Sequence, residues 1–183
     1  MTPPVSQRPE VRSIRLLVLD VDGVMTDGSI VIDDLGRETK AFHVRDGLGI
    51  RVWQKMGGEV AIITGRASQV VAHRAAELHI SRVMQGVREK GVALGRILKE
   101  MALSPGQVAA MGDDIVDLPL LRGVGYPMAV ADAVAEVRSI ARFVTSRPGG
   151  RGAVREAIEH LLVAQGRWEE AVARYVPPEH KEV

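Results

Sequence analysis

The chain has 183 residues, of which 46% are hydrophobic, and this size and composition predict one folded domain with its own core. A formal net charge of +1 and an aromatic content of 3% argue against a nucleic-acid-binding protein. The absence of cysteine excludes disulfides, thiolate metal sites and thiol nucleophiles. The sequence shows neither a signal peptide nor a long apolar stretch, so we expect a cytoplasmic protein without a membrane partner.

The first part of the chain contains a strand pattern followed by a candidate hairpin. Residues 1–12 are polar and contain prolines, which is typical of a flexible leader. The apolar run at 14–20 predicts the first strand, and two short apolar runs around an Asp/Gly turn predict a β-hairpin at about 28–44. A helical pattern then begins near Asp46 and ends at Gly57-Gly58.

Strand and helix patterns alternate through the rest of the chain. Further strands are predicted at 59–63, 82–84, 107–111, 126–130 and 142–145, with helical patterns between them. A last amphipathic helix follows the glycine-rich segment 149–152. The alternation predicts an α/β fold with a doubly wound, mostly parallel sheet, a hairpin insertion and no separate cap domain. We assign residues 13–166 to this single domain and 167–183 to a C-terminal tail.

Residues capable of chemistry follow the ends of several apolar segments, which is where ligands bind in open α/β sheets. They are, in chain order, Asp20 and Asp22, then Thr64, Gly65 and Arg66, then Lys90, and last Gly112, Asp113 and Asp114 with Asp117 one helical turn on. Asp20 and Asp22 are close enough to repel each other, which predicts a cation, a shared proton or solvent beside them. One carboxylate as nucleophile and one as proton donor is a known arrangement for covalent catalysis.

The set of side chains suits phosphoryl transfer. Carboxylate oxygens favour Mg²⁺, which often binds only one or two carboxylates and keeps several waters. A phosphoryl group held between Mg²⁺, Lys90 and Thr64 would have its developing charge neutralised, and Asp20 could then attack phosphorus. We predict Mg²⁺ as the cofactor, with metal ligands Asp20, Asp22 and Asp113 and supporting residues Asp114 and Asp117.

These segments, in this order, resemble the motifs of the haloacid dehalogenase superfamily of aspartate-nucleophile phosphatases. The resemblance implies that Asp20 forms an aspartyl phosphate, that Asp22 donates the proton, and that Thr64 and Lys90 complete the catalytic set. It runs from about residue 14 to 165 and includes the segments 23–28, 45–50, 62–66, 85–86 and 149–156. These segments are similar to one branch, the capless, tetrameric phosphatases of 3-deoxy-D-manno-octulosonate 8-phosphate, which act in lipopolysaccharide precursor synthesis.

The likeness to this branch carries further expectations. It implies Mg²⁺-dependent hydrolysis of that sugar-acid phosphate, with Gly65, Arg66, Arg74 and Arg151 as substrate contacts. Arg66 and Arg74 would act from one face of one helix. Because an isolated two-stranded hairpin is marginal in water, we expect hairpins of several subunits to pair and form a homotetramer. The segment 149–152 would then reach a neighbour's active site, with Arg151 at the substrate carboxylate.

Plainer roles are open for several of these residues. Thr64 could be only a helix N-cap, and Lys90 only a solvated surface lysine. The acidic residues 113–117 could be a capped helix start. Arg151 could belong to a hinge before the last helix, and Arg66 and Arg74 could be surface ion-pair partners. We expect Asp27 and Asp46 to stabilise loops.

Alternative functions are also open. A phosphatase for a nine-carbon sialic-acid-type 9-phosphate would share the fold and the motifs. A phospho-acceptor signalling domain also combines aspartate, Mg²⁺, threonine and lysine, but its acidic pair and phosphorylated aspartate occur in a different order. A catalytically inactive regulatory subunit is the third alternative, and the intact set of candidate residues argues against it.

Overall fold

The computed structural model describes residues 9–176. Most of the predicted leader and the last seven residues of the predicted tail lie outside this range. The described end of the leader is not extended: Pro9–Arg12 forms a short helix, α1, and Val11 is fully buried against the domain. At the other end, Trp168–Ala173 forms helix α8, in which Ala171 is buried, so this part of the predicted tail also packs on the domain.

Strands and helices alternate as predicted across the described residues. The strands are β1 (Leu16–Leu19), β2 (Val31–Ile32), β3 (Glu38–Thr39), β4 (Glu59–Ile63), β5 (Arg82–Met84), β6 (Val108–Gly112), β7 (Tyr126–Ala129) and β8 (Phe143–Val144). The remaining helices are α2 (Val44–Lys55), α3 (Gln69–Glu77), α4 (Lys90–Met101), α5 (Leu118–Arg122), α6 (Ala135–Ile140) and α7 (Ala153–Ala164).

The main sheet has six strands in the order β5-β4-β1-β6-β7-β8, and all of its pairings are parallel. The predicted α/β fold with a doubly wound parallel sheet is therefore confirmed. The chain runs outward from β1 through β4 to β5, and then returns to the other side of β1 for β6, β7 and β8. This reversal places the topological switch point, the usual ligand site of such sheets, at the carboxyl ends of β1 and β6.

The core lies on both faces of the central strands. Every residue of β1 is buried, because helices cover both sides of a doubly wound sheet and leave no solvent-facing alternation. Helix α7 packs its apolar stripe against α2, and Gly49 of α2 permits close approach, since an ideal Cβ there would lie 3.0 Å from Arg155 Cδ. Within residues 9–176, no helix is both long enough and apolar enough to cross a bilayer.

The hairpin insertion is formed by β2 and β3, which pair antiparallel with Val31 opposite Thr39. Asp33 closes the turn, because one of its carboxylate oxygens accepts the backbone N–H groups of Leu35 and Arg37. The apolar residues Val31 and Ile32 are 55% and 57% exposed, so this hairpin presents an apolar surface rather than a polar one.

Candidate active site

The candidate site lies at the switch point, where the ends of adjacent central strands meet. Asp20 follows β1 directly, and Asp113 follows β6, the strand that pairs Met111 with Leu19. On the other side, β4 pairs Ile62 with Leu19, so Thr64 lies next to the loop that begins at Asp20. The register of the sheet therefore brings these strand ends together, as predicted.

A buried lysine connects two of the carboxylates. Lys90 begins α4, and its Nζ lies 2.8 Å from Asp20 Oδ1 and 2.5 Å from Asp117 Oδ1. Lys90 is 3% exposed, so the interpretation of it as a solvated surface lysine is wrong. Its pKa is raised overall because the attraction of Asp20 and Asp117 outweighs the opposing effect of burial, and it carries a positive charge in the site.

Asp117 is a fully buried organising residue rather than an open ligand. While its Oδ1 contacts Lys90, its Oδ2 accepts the backbone N–H groups of Asp113 at 3.0 Å and Asp114 at 3.4 Å. Gly112 permits this arrangement, because a Cβ there would lie 2.6 Å from Asp117 Cβ. Asp114 caps the short 3-10 turn Ile115–Asp117, so the capped, acidic start predicted for this segment is present.

The carboxylates of Asp20, Asp113 and Asp117 form one cluster, in which an oxygen of each lies within 4.8 Å of the others. Burial and then the charge of Asp117 raise the pKa of Asp20 to about 6. Burial, followed by the charges of Asp117 and Asp20, raises the pKa of Asp113 to about 7. Both shifts arise first from burial, and the neighbouring carboxylates add to them.

The cluster fits a divalent cation. Asp20 Oδ1 is buried, and it forms an ion pair with Lys90 Nζ at 2.8 Å. The three clustered carboxylates form an all-oxygen donor set with repelling charges, and such a set suits Mg²⁺. The Asp22 side chain is not part of this cluster, so the structure does not support its carboxylate as a metal ligand.

Asp22 instead belongs to a charged network that includes the hairpin. Lys40 Nζ contacts Asp22 Oδ1 and lies 3.2 Å from Glu38 Oε1. Arg66 Nη2 lies 3.2 Å from the same Glu38 oxygen, and Arg66 Nε lies 3.9 Å from Asp22 Oδ2. Glu38 and Lys40 were not among the predicted site residues, although their alternation on the second hairpin strand signals that they share a face.

The loop after β4 differs from the sequence-based interpretation in one respect. Thr64 is buried, but α3 begins at Gln69 and is capped by Ser68, whose hydroxyl accepts the Val71 N–H at 3.4 Å. The interpretation of Thr64 as a helix N-cap is therefore wrong, and Thr64 ends the strand instead. Gly65 is exposed in this loop, where a Cβ would meet only the Val87 carbonyl, at 3.7 Å.

Arg66 and Arg74 do not share a helical face, because Arg66 precedes the helix and only Arg74 lies in α3. Their spacing suggested one helix, but the chain makes a loop between Thr64 and Ser68 before α3 begins. Arg74 lies over the Phe42 ring at 5.6 Å and pairs with Glu77 at 2.8 Å. Its Nε is buried without a hydrogen-bond partner among the described residues.

The glycine-rich segment packs against the loop at residues 23–27 of its own chain, which follows Asp22 and is called the catalytic loop below. Gly150 has φ +62°, its N–H donates to the Val24 carbonyl at 3.0 Å, and a Cβ there would lie 2.8 Å from Thr26 Cα. The segment thus packs on its own subunit, and its approach to a neighbour's active site stays a prediction. Arg151 is exposed beside it and pairs with Asp27 at 3.3 Å.

Asp46 stabilises the same region, as predicted for a loop-stabilising residue. Its two carboxylate oxygens accept the backbone N–H groups of Gly152 at 3.1 Å and Arg155 at 2.8 Å. Asp46 lies in the first turn of α2, so these bonds join α2 to the start of α7. The segment 149–152 is consequently held at both of its ends.

Comparison with known sequences agrees with this geometry. A family model of haloacid dehalogenase-like hydrolases matches residues 75–158. The 3-deoxy-D-manno-octulosonate 8-phosphate phosphatase of Escherichia coli strain K12 is 48% identical over 162 residues, which are 88% of this chain and 86% of the relative. The phosphatase of the same name from Yersinia pestis is 46% identical over 159 residues, which are 87% and 85% of the two chains.

Solved structures give the same result. The Moraxella catarrhalis 3-deoxy-D-manno-octulosonate 8-phosphate phosphatase, crystallised with a magnesium ion, a phosphate ion and KDO, superposes with a TM-score of 0.90. It is 38% identical, and the match covers 94% of this chain and 98% of that one. A cobalt-bound phosphatase of this type from Haemophilus influenzae has a TM-score of 0.86 at 37% identity and covers 90% and 99% of the two chains.

The fold and the site together define a phosphatase of the haloacid dehalogenase type, a phosphoric monoester hydrolase that uses Mg²⁺. At this level of identity and coverage, the chain belongs to the family of 3-deoxy-D-manno-octulosonate 8-phosphate phosphatases. The alternatives of a phospho-acceptor signalling domain and of an inactive regulatory subunit are therefore wrong.

Proposed function

We propose that the protein hydrolyses 3-deoxy-D-manno-octulosonate 8-phosphate to the free sugar acid and phosphate, as a step in lipopolysaccharide precursor synthesis. The observation that carries the proposal is the carboxylate cluster of Asp20, Asp113 and Asp117 at the switch point of the sheet, with Lys90 Nζ 2.8 Å from Asp20 Oδ1. The names of the relatives supply the substrate class, and the site supplies the chemistry.

Asp20 is the proposed nucleophile. One of its carboxylate oxygens forms a bond to phosphorus while the bond between phosphorus and the sugar oxygen breaks. The electron pair of that bond goes to the sugar oxygen, which takes a proton from Asp22 and leaves as an alcohol. The product on the enzyme is an aspartyl phosphate at Asp20.

Water then completes the cycle. Asp22, now ionised, takes a proton from a water molecule whose oxygen attacks phosphorus. The bond between phosphorus and the Asp20 oxygen breaks, phosphate leaves, and both carboxyl groups return to their starting forms. Lys90 and Thr64 are proposed to bind the phosphoryl oxygens, because Lys90 is a fixed buried cation and Thr64 is a buried hydroxyl at the end of the neighbouring strand.

Asp20 and Asp113 are the proposed side-chain ligands of the Mg²⁺ ion, which supplies positive charge for the phosphoryl oxygens when it is bound. Asp117 orients Lys90 and the backbone at Asp113, and Asp114 fixes the turn that carries them. The Asp20 and Asp113 side chains both belong to the carboxylate cluster, so each would offer an oxygen to the ion.

Substrate recognition is proposed for the cationic groups around the loop. Arg66 lies beside Asp22, Arg74 over the Phe42 ring and Arg151 beside Asp27, and a sugar acid carries a carboxylate that such cations bind well. We also propose that the enzyme is a homotetramer joined through its hairpins, because their apolar residues are half exposed in the single chain. A cytoplasmic location remains part of the proposal, and cell fractionation would test it.

A phosphate-release screen tests the function directly. The full-length protein is assayed with Mg²⁺ against the eight-carbon sugar-acid phosphate, a nine-carbon sialic-acid-type 9-phosphate and glucose 6-phosphate as a neutral-sugar control. We expect the highest kcat/KM for the eight-carbon ester and loss of all activity in chelator. A higher kcat/KM for the nine-carbon ester would reassign the substrate while keeping the phosphatase chemistry.

A further inference from the structure

The hairpin brings a lysine into the site that the mechanism above does not use. Lys40 directly follows β3, so it points to the same side as Glu38. The hairpin itself is exposed, yet the Lys40 side chain is 1% exposed. It contacts Asp22, the proton donor of the proposed mechanism, and lies 3.2 Å from Glu38.

Burial of the Lys40 side chain at this position costs free energy. A lysine is among the residues least often fully buried, and its ammonium must be paired when water is removed. Its long side chain also loses rotamer freedom, which costs roughly 1.5–2 kcal/mol. A solvated lysine on the hairpin would avoid both costs, so stability of the hairpin alone does not account for the position.

The contacts of Lys40 restrict the orientation of Asp22. Lys40 binds Asp22 Oδ1, whereas Asp22 Oδ2 has, among the described residues, the looser contact with Arg66 Nε at 3.9 Å. Because Lys40 occupies one oxygen, it restricts the orientation of the carboxylate and leaves Oδ2 without a close partner in this part of the chain. Glu38 accepts from both Lys40 and Arg66, so it holds the two cations on either side of Asp22.

We propose that Lys40 is a positioning residue for the reaction, acting through Asp22, and that Glu38 holds Lys40 in place. The proposal rests on the proposed function, since it concerns the delivery of the Asp22 proton to the leaving sugar oxygen. It makes the hairpin part of the catalytic apparatus of its own subunit. If Lys40 only attached the hairpin to the domain, its removal would not slow one step of the reaction more than another.

The experiment uses the leaving group to separate these roles. Departure of a sugar alkoxide requires a proton, whereas departure of 4-nitrophenolate does not, because that anion is stable in water. Lys40→Met and wild type are compared in single-turnover release of alcohol from the sugar-acid phosphate and from 4-nitrophenyl phosphate. We expect about a 10²-fold slower release of the sugar, with KM and the 4-nitrophenolate release within about threefold of wild type.

Matched variants complete the test. Arg37→Met removes an exposed cation of the same hairpin that pairs with Asp33, and we expect it to leave both rates unchanged. Lys40→Arg keeps a cation near Asp22 and should recover most of the sugar release. Glu38→Gln should slow sugar release selectively, but by less than Lys40→Met. It also serves as the second variant if Lys40→Met does not give a native thermal transition.

The outcomes are distinct. Equal losses on both esters in Lys40→Met, or no loss on either, would overturn the positioning role. Failure of the proposed function is seen separately, because it requires the wild-type enzyme to lack Mg²⁺-dependent turnover of the sugar-acid phosphate. In that case the same comparison is made with the best alkyl phosphate that the wild type hydrolyses, and its result decides the role of Lys40.

Discussion

At the scale of single residues, Asp20 combines burial, an ion pair with Lys90 and a raised pKa. We expect Asp20→Asn to abolish turnover, because an amide cannot form the acyl phosphate. The metal-free variant should be at least as stable as wild type, since loss of this charge relieves repulsion from Asp117. Phosphate release and thermal melting measure both effects.

The control for this substitution is Asp34→Asn, which changes an exposed aspartate in the hairpin turn and should alter neither quantity. Asp22→Asn should slow turnover by roughly 10²–10⁴-fold, the range for loss of a general acid and base. Normal activity in Asp20→Asn would rule out the aspartyl-phosphate mechanism.

The raised pKa values of Asp20 and Asp113 make metal binding dependent on pH. In the metal-free protein both groups bind a proton more tightly when folded, so their stabilising contribution is present below the ordinary pKa of 3.8. It is lost as pH rises through the folded values of about 6 and about 7. The ion needs both groups ionised, so protons compete with Mg²⁺ across this range.

We therefore expect the rise in melting temperature on adding Mg²⁺ to be large at about pH 8 and small at about pH 5. In the metal-free protein, the contribution of these two groups to stability should decrease over the same rise in pH. Scanning calorimetry with and without chelator measures both trends, with Asp113→Asn as the variant in which the Mg²⁺ effect is lost. A Mg²⁺ effect that is independent of pH would contradict this assignment.

Most of the proposed catalytic residues could be placed from the sequence, because each follows a buried strand or begins a helix. Asp20 and Asp113 are fixed by the register of parallel strands, a local pattern with a known three-dimensional consequence. Lys40 and Glu38 could not be found in this way, because their contacts depend on how the hairpin folds back over the loop at Asp22. The pattern of residue types along the chain does not indicate how the hairpin is oriented relative to that loop.

At the scale of elements, the junction between the glycine-rich segment and the catalytic loop is the most constrained. Gly150 has both a positive φ and backbone atoms of Thr26 in the space that a Cβ would occupy. Gly150→Ala should destabilise the protein by more than the roughly 1–2 kcal/mol that a left-handed conformation costs. It should also lower kcat, because the loop at 23–27 must shift. Chemical denaturation and steady-state kinetics measure these effects.

Gly36→Ala is the matched control, since Gly36 has φ +76° but no atoms within 4 Å of an ideal Cβ. This variant should show the conformational cost alone and retain wild-type kcat. If the two variants lost equal stability and both kept full activity, the packing at Gly150 would have no part in shaping the catalytic loop.

Element boundaries were less predictable than element types. The helix containing Arg74 was predicted correctly, but its start at Gln69 was not, since Ser68 competes as a cap with the threonine that ends the strand. The placement of Arg66 depended on that boundary, and the prediction of a shared helical face failed with it. Similarly, the glycines at 149–152 indicated close approach, but not that the approached backbone belongs to the same chain.

At the scale of the whole molecule, the exposed apolar hairpin is the feature that a single chain does not explain. If hairpins join the subunits, Ile32→Lys should disrupt assembly by placing a charge in the buried contact. Sedimentation velocity should then show a species smaller than the wild-type tetramer. Val92→Lys, which replaces an equally exposed apolar residue of α4, should leave the assembly unchanged. A monomeric and active wild type would refute the proposed tetramer.

The central position of β1 has a consequence for folding kinetics. The catalytic groups come from segments far apart in the sequence, and they approach only when β6 has docked beside β1. Closing such long loops is slow compared with forming local helices. In refolding from denaturant, recovery of enzyme activity should therefore coincide with the slowest change in tryptophan fluorescence and lag behind the far-ultraviolet helical signal. Recovery of enzyme activity would therefore mark the last folding step of the chain.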